Sequence, residues 1–383
     1  MLITPRHVLA VALCAVSAAA RSQTPPAAGA SSQKPAAAAG RFGPAPGPLA
    51  VAAMDLDWRD PDRNRTLPVR IFYPRSGDGP FPALVLVPGI GGGGAGYAAN
   101  AASAANSGGH ALFEFLGRHL ASHGYVAVHL RHVVADALPG TPGGDPGGAA
   151  ALARESQQAG VTRLLDLVFA IDQVVALQSG GSPLHGRIDL RNLAAGGNNV
   201  AAWTALAAAG LAHLDRRGGE SSLPDPRVKA LVLIVPSAPG DTAQRARLHF
   251  SAVQVPCLHL LGTFGADAQG SRDAQSPQPA PASHAPQPPR LVTAADRLLL
   301  RRYAFDHIAG PDQVLVTFFA GPAAAERHGP FENAAELQGS AKTAATAFLD
   351  AYLKHDAAAR DWLLGGGLAA AVGRSGRVET RAR

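Results

Sequence analysis

The strongest constraint on the fold is a series of short apolar runs, each closed by a turn signal and most followed by a helical stretch. Residues 82–87 (PALVLV), 125–130 (YVAVHL), 228–235 (VKALVLIV), 255–261 (VPCLHLL) and 312–319 (DQVLVTFF) are strand-length and nearly continuous in apolar character. Such runs read as strands covered on both faces, which is how parallel sheets are built. Residues 67–74 (LPVRIFYP) alternate like an outer strand, and 191–195 feed another strand into Gly196-Gly197. Helices are expected near 111–122, closed by Gly124, and near 161–177, 201–209 and 341–354. Strands alternating with helices imply an α/β fold, a mostly parallel central sheet with helices on both faces. With 383 residues, 47% of them hydrophobic, the chain can bury a large core, and no internal repeat divides it.

The ends read differently. Pro5, Arg6 and His7 precede an apolar run, 8–20, that finishes in Ala18-Ala19-Ala20. This is the grammar of a cleavable signal peptide over 1–20, so the chain is expected to be secreted or periplasmic. The run is too short to span a bilayer, and no stable membrane insertion is expected. Cys14 follows Leu13, not a small residue, and does not read as a lipid anchor. Cys257 would then be the only cysteine left, mid-strand and inert, with no intrachain disulfide. Residues 21–49 are Ala/Pro/Gly-rich and read as a disordered linker, 50–364 as the folded domain, and 365–383 as a flexible tail. A Pro-rich insert, about 266–292, reads as a surface loop.

A net charge of +6 and a pI near 9.7 raise the question of nucleic acid. The basic residues are scattered and no Lys/Arg block is interleaved with aromatics, so no nucleic-acid partner is expected.

Three places just after expected strands carry the chemistry, where open α/β sheets build their sites. After 82–87 come Pro88-Gly89-Ile90-Gly91-Gly92, whose backbone N–H groups could face an oxyanion. No Lys-Ser/Thr follows, which argues against a phosphate loop. The second place is Leu193-Ala194-Ala195-Gly196-Gly197-Asn198-Asn199-Val200-Ala201-Ala202-Trp203. It matches the strand–turn–helix context of the nucleophile elbow G-x-S-x-G, with Gly197 as the first glycine, Asn199 at the serine and Ala201 at the second glycine. The third comprises the turns after 255–261 and 312–319, followed by Asp267 and His328.

With these residues in view, the chain resembles the bacterial branch of the α/β-hydrolase superfamily that includes platelet-activating-factor acetylhydrolase-like and predicted dienelactone-hydrolase proteins. The likeness covers roughly 55–364. It rests on Gly79-Pro80-Phe81-Pro82, Leu120-Ala121-Ser122-His123-Gly124-Tyr125, Arg187-Ile188-Asp189-Leu190, Ala202-Trp203-Thr204-Ala205-Leu206 and Ala347-Phe348-Leu349-Asp350-Ala351-Tyr352-Leu353. It implies a serine ester hydrolase with an oxyanion loop at Gly89, Ile90 and Gly91, aided by Val200. The triad order would be Asn199, Asp267 and His328, with no metal or organic cofactor. The catalytic positions depart from the family: G-H-S-x-G-A becomes Gly197-Asn198-Asn199-Val200-Ala201-Ala202, Asp267 falls two residues late, and His328 lies seven residues beyond Gly321.

A carboxamide cannot replace the serine chemically. Its nitrogen lone pair is delocalised into the carbonyl and it has no proton that a neutral imidazole can remove, so no near-alkoxide forms. Asparagine nevertheless tolerates the positive-φ conformation that elbows require. The leading expectation is a catalytically impaired or inactive hydrolase-fold protein that retains a site for a small acyl- or ester-like ligand. The alternative is an active ester or short-acyl lipid hydrolase using another nucleophile, such as Ser122 or Ser237, or a water activated by His328 and Asp267. A scaffold role draws only on the Pro-rich insert. His119 and His123 have metal-pair spacing but lack a third ligand, and they read as a helix-surface and a helix-end residue. Trp203 reads as core.

Overall fold

The apolar runs form the inner strands of a nine-stranded sheet. The computed structural model describes residues 42–88, 113–130, 146–198, 201–214, 220–234, 250–262, 304–318 and 334–382, all within the unit Ala37–Arg383. The chain opens with β1 (Val51–Asp60), β2 (Arg65–Pro74) and β3 (Phe81–Val87), then α1 (Glu114–Ser122), β4 (Val126–Leu130), α2 (Pro146–Ala176), β5 (Ile188–Asn198) and α3 (Ala201–Ala208). A two-residue ladder follows, β6 (His213–Leu214) with β7 (Glu220–Ser221). The second half contains β8 (Val228–Ile234), β9 (Cys257–Gly262), β10 (Gln313–Phe318), α4 (Ala334–Leu353), α5 (Ala357–Leu364), α6 (Gly367–Val372) and β11 (Gly376–Arg381).

The strand order is β1-β2-β4-β3-β5-β8-β9-β10-β11. The stretch from β4 to β10 is parallel throughout, and the antiparallel pairs β1–β2, β2–β4 and β10–β11 lie at its two flanks. Every residue of β3, β4 and β10 is buried, as their largely apolar character implies, and burial takes in His129 of β4 and Gln313 and Thr317 of β10. Alternate residues serve two cores. Ala83, Val85 and Val87 of β3 pack with Leu167, Ile171 and Val174 of α2 and with Ala201, Ala202 and Ala205 of α3. Leu84 and Leu86 pack on the other face with Leu116 and Leu120 of α1, Phe348 of α4 and Trp362 of α5. The expected α/β architecture, with a mostly parallel sheet between two helical layers, is therefore present.

Polar ties hold the layers in register. Asp166 of α2 is fully buried, and its carboxylate accepts from Arg63 (2.7 Å) and Arg65 (3.1 Å) of the β1–β2 hairpin. Arg63 also meets Asp60, whose own burial is outweighed by these bonds, so its pKa falls below the ordinary carboxylate value. On the other face Tyr125 donates to Asp350 of α4 (2.6 Å), which Lys354 also neutralises (2.8 Å).

Four details differ from the sequence reading. First, α2 begins at Pro146, fifteen residues before the helix expected near 161–177. Proline is admissible there because the first turn of a helix needs no N–H from it. Second, the last eight residues of the expected linker are docked: Phe42 stacks on Trp362 (centroids 4.8 Å), and the backbone N–H groups of Gly47 and Leu49 donate to the hydroxyl and carbonyl of Ser122. Third, the expected flexible tail supplies α6 and the edge strand β11, which pairs with β10 from Gln313↔Arg381 to Phe318↔Gly376. An edge strand of mixed exposure needs no apolar run, because β10 supplies its ladder. Fourth, His119 is buried, not on a helix surface, and its Nε2 lies 3.1 Å from the Thr346 hydroxyl of α4. Packed against His123 (ring centroids 4.5 Å), His119 is held down to about 3 mainly by burial.

The expected signal peptide 1–20, the linker up to 41 and the Pro-rich insert 266–292 lie outside the described residues. Among the described residues no helix is long and apolar enough to cross a membrane.

Candidate functional site

The site is framed by the carboxyl ends of the parallel strands. Pairing sets Val87 beside Gly197, Gly197 beside Leu233, Leu233 beside His259, and His259 beside Leu315. One level therefore crosses β3, β5, β8, β9 and β10. Beyond it the chain leaves β3 after Val87, β5 after Asn198, β9 after Gly262 and β10 after Phe318. Adjacent strands are about 4.8 Å apart, so the exits from β3 and β5 are close neighbours. This is the edge at which an α/β sheet places ligands.

The exit from β5 is the best defined. Only two residues, Asn199 and Val200, separate Asn198 at the end of the strand from Ala201 at the start of α3. The reversal is tight enough that a Cβ on Gly197 would lie 2.2 Å from the Ala201 carbonyl oxygen and 2.9 Å from the Ala202 nitrogen. Those atoms are backbone and cannot swing aside, so position 197 must be glycine. Gly196 is constrained from the other side, where a Cβ would come within 2.7 Å of both Leu86 and the Val232 carbonyl. Ala201, Ala202 and Ala205 are completely buried, and their small size lets α3 lie close over the strand that precedes it. Trp203 is half-buried against the same core and packs on Phe250 (centroids 5.8 Å), in keeping with a packing role.

The residues expected to be catalytic, Asn199, Asp267 and His328, lie outside the described residues, as do Gly89, Ile90, Gly91 and Val200 of the expected oxyanion loop. Ser237 lies outside them as well. What the structure describes is the frame from which those segments depart.

Ser122, the other serine considered as a nucleophile, is occupied structurally. It is buried, its Oγ donates to the His119 carbonyl (2.6 Å), and it accepts from the Gly47 N–H (2.8 Å). It also ends α1 beside β4's amino end, away from the framed edge. Cys257 is fully buried and its Sγ donates to the Val255 carbonyl (3.4 Å); burial pushes its pKa well up, so it is not a thiolate.

One polar group at the framed level escapes the sequence reading. His259 is entirely buried in β9, with Nε2 3.1 Å from the Gln313 Oε1 of β10 and the edge of Phe305 against its ring (centroids 5.7 Å). Burial holds it down to about 4, so the ring is neutral, and its Nδ1 has no partner among the described residues. The available signal was a histidine inside an apolar strand with a glutamine near it on the next one. Among the described residues no cluster of metal-ligating side chains occurs.

No protein-family model matches this chain, and no curated protein matches it.

Proposed function

We propose that this protein is an α/β-hydrolase-fold member of the ester-hydrolase type that has kept the architecture of its site and lost the nucleophile. The observation that carries the reading is the β5–α3 turn, in which Gly197 admits no side chain and only Asn199 and Val200 bridge strand and helix. A turn of this kind is what exposes a nucleophile above a sheet in the G-x-S-x-G arrangement. The parallel sheet covered on both faces and the glycine-rich exit from β3 beside it support the same reading.

At the serine position of that motif this sequence has an amide, Asn199. Catalysis of acyl transfer needs an oxygen or sulfur that gives up a proton as it attacks, and the asparagine carboxamide offers none. Loss of a triad serine costs on the order of 10⁶ in turnover, and the remainder comes from oxyanion stabilisation and binding. The site is then suited to holding a small acyl- or ester-like ligand rather than cleaving it. Export to the periplasm or the medium belongs to the same proposal, on the strength of the segment 1–20.

Hydrolysis of p-nitrophenyl butyrate by the wild type and by Asn199→Ser tests this. The wild type is expected to stay near the uncatalysed rate. The variant gains turnover if Asp267 and His328 reach the new hydroxyl. Wild-type turnover near the enzyme median, about 10 s⁻¹, would refute the proposal.

A further inference from the structure

Two adjoining cavities, of about 730 and 400 Å³, open at the amino edge of the sheet. They lie at the opposite end of the strands from the β5–α3 turn, and the seven residues of β8 alone separate the two edges by about 20 Å. The larger cavity is bordered by Arg191 of β5, Lys229 of β8 and Arg360 of α5, with Asp312 the one carboxylate on its wall among the described residues. Asp312 is buried and already satisfied: it accepts from the Tyr352 hydroxyl (2.8 Å) and from Nε and Nη2 of Arg360 (2.7 and 3.2 Å).

Positive charge is therefore left over. Lys229 donates only to the Pro226 carbonyl (2.7 Å) and has no carboxylate within ion-pair distance among the described residues. Arg191 is 88% exposed, and among the described residues its guanidinium reaches Asp189 alone, at 3.5 Å. The smaller cavity has Leu49, Pro80, Phe81 and Leu353 on its wall together with one carboxylate, Asp189, and one ammonium, Lys354, and it shares Asn192 and His355 with the larger. These two residues are in contact at the boundary, His355 Nε2 to Asn192 Oδ1, 3.0 Å. His355 has φ +55°, just past the end of α4, in a reversal closed by the Asp356 N–H on the Asp350 carbonyl. Glycine is the relaxed residue for that conformation, so the imidazole is placed there at some cost in strain.

We propose that this groove is a binding site for a small organic phosphate. The phosphoryl oxygens meet Arg191, Lys229 and Arg360, and the apolar body extends past the Asn192–His355 pair toward Leu49 and Phe81. Cations on three separate elements suit a tetrahedral dianion with several oxygens better than a planar carboxylate carrying one charge and two oxygens. The inference is independent of the hydrolase reading, since it uses the other edge of the sheet.

Calorimetric titration of the full chain with phenyl phosphate, inorganic phosphate and benzoate tests it. One saturable site is expected for phenyl phosphate, tighter than for either partial ligand. The double variant Arg191→Gln/Lys229→Gln should weaken phenyl phosphate by about tenfold or more, because two charge-assisted contacts are lost. Both side chains are on the surface, so an unchanged melting temperature will show that the fold is intact. Asn199→Ala should bind as the wild type does. Three results would overturn the proposal: no saturable binding in the millimolar range, benzoate binding as tightly as phenyl phosphate, or full retention in the double variant. Loss of binding in Asn199→Ala would also overturn it, by assigning the ligand to the other edge.

Discussion

Replacing Gly197 with alanine probes the tightest point of the molecule. The added methyl would sit 2.2 Å from the Ala201 carbonyl oxygen, more than 1 Å inside ordinary van der Waals contact, which begins at 3.4 Å. Neither side can yield cheaply. Gly197 is laddered between Val87 of β3 and Leu233 of β8, and Ala201 opens a helix whose Ala201, Ala202 and Ala205 are fully buried. Overpacking a core costs about 1–3 kcal/mol when side chains absorb it, and a backbone clash falls at the upper end, about 3 kcal/mol. For a domain this large that corresponds to a fall in melting temperature of roughly 6 °C. Thermal unfolding followed by circular dichroism reads the effect, with Gly181→Ala as control. A Cβ at Gly181 meets nothing within 4 Å, so the control should lie within about 0.5 kcal/mol of the wild type. If Gly197→Ala melts with the control, the close approach of strand and helix is wrong, and so is the reading of the turn.

Asp166→Ala should destabilise by about 3 kcal/mol in urea unfolding, less than a fully buried pair because Arg63 and Arg65 keep part of their exposure and can rehydrate. Stability should fall as pH drops from about 6.5 toward 4. Burial holds His259 at about 4 and His119 at about 3, both below the unfolded value, so the unfolded chain binds more protons in that window. Asp60, Asp189 and Asp225 have lowered values and act in a more acid range. The double variant His119→Gln/His259→Gln should therefore flatten the slope between pH 4 and 6.5, and an unchanged slope would remove these histidines from the account. His355→Gly should leave stability within about 1 kcal/mol of the wild type, because relief of the left-handed strain offsets the lost Asn192 contact.

Much of the scaffold is legible in the residues because burial on both faces leaves an unmistakable trace. The runs 82–87 and 228–235 are apolar almost throughout, and they become β3 and β8. Elements held by partners instead of by their own pattern are not legible. The strand Gly376–Arg381 is mostly polar and acquires its conformation from the ladder with β10. Residues 42–49 look featureless, yet the Phe42 ring on Trp362 and the backbone bonds to Ser122 fix them. His259 is not legible because it is a single polar residue inside an apolar run, and its partner Gln313 comes from the neighbouring strand. Of the candidate site, Gly197 is legible as a glycine the expected turn requires, whereas the need for glycine at 196 comes from Leu86 and the Val232 carbonyl on neighbouring strands and shows only in the structure.

The most direct test of the proposal that the nucleophile is lost is intact-mass analysis after incubation with a fluorophosphonate. An unshifted mass is expected for the wild type under conditions that label a serine hydrolase stoichiometrically. A single adduct per chain would contradict it, and peptide mapping would then name the nucleophile that position 199 lacks.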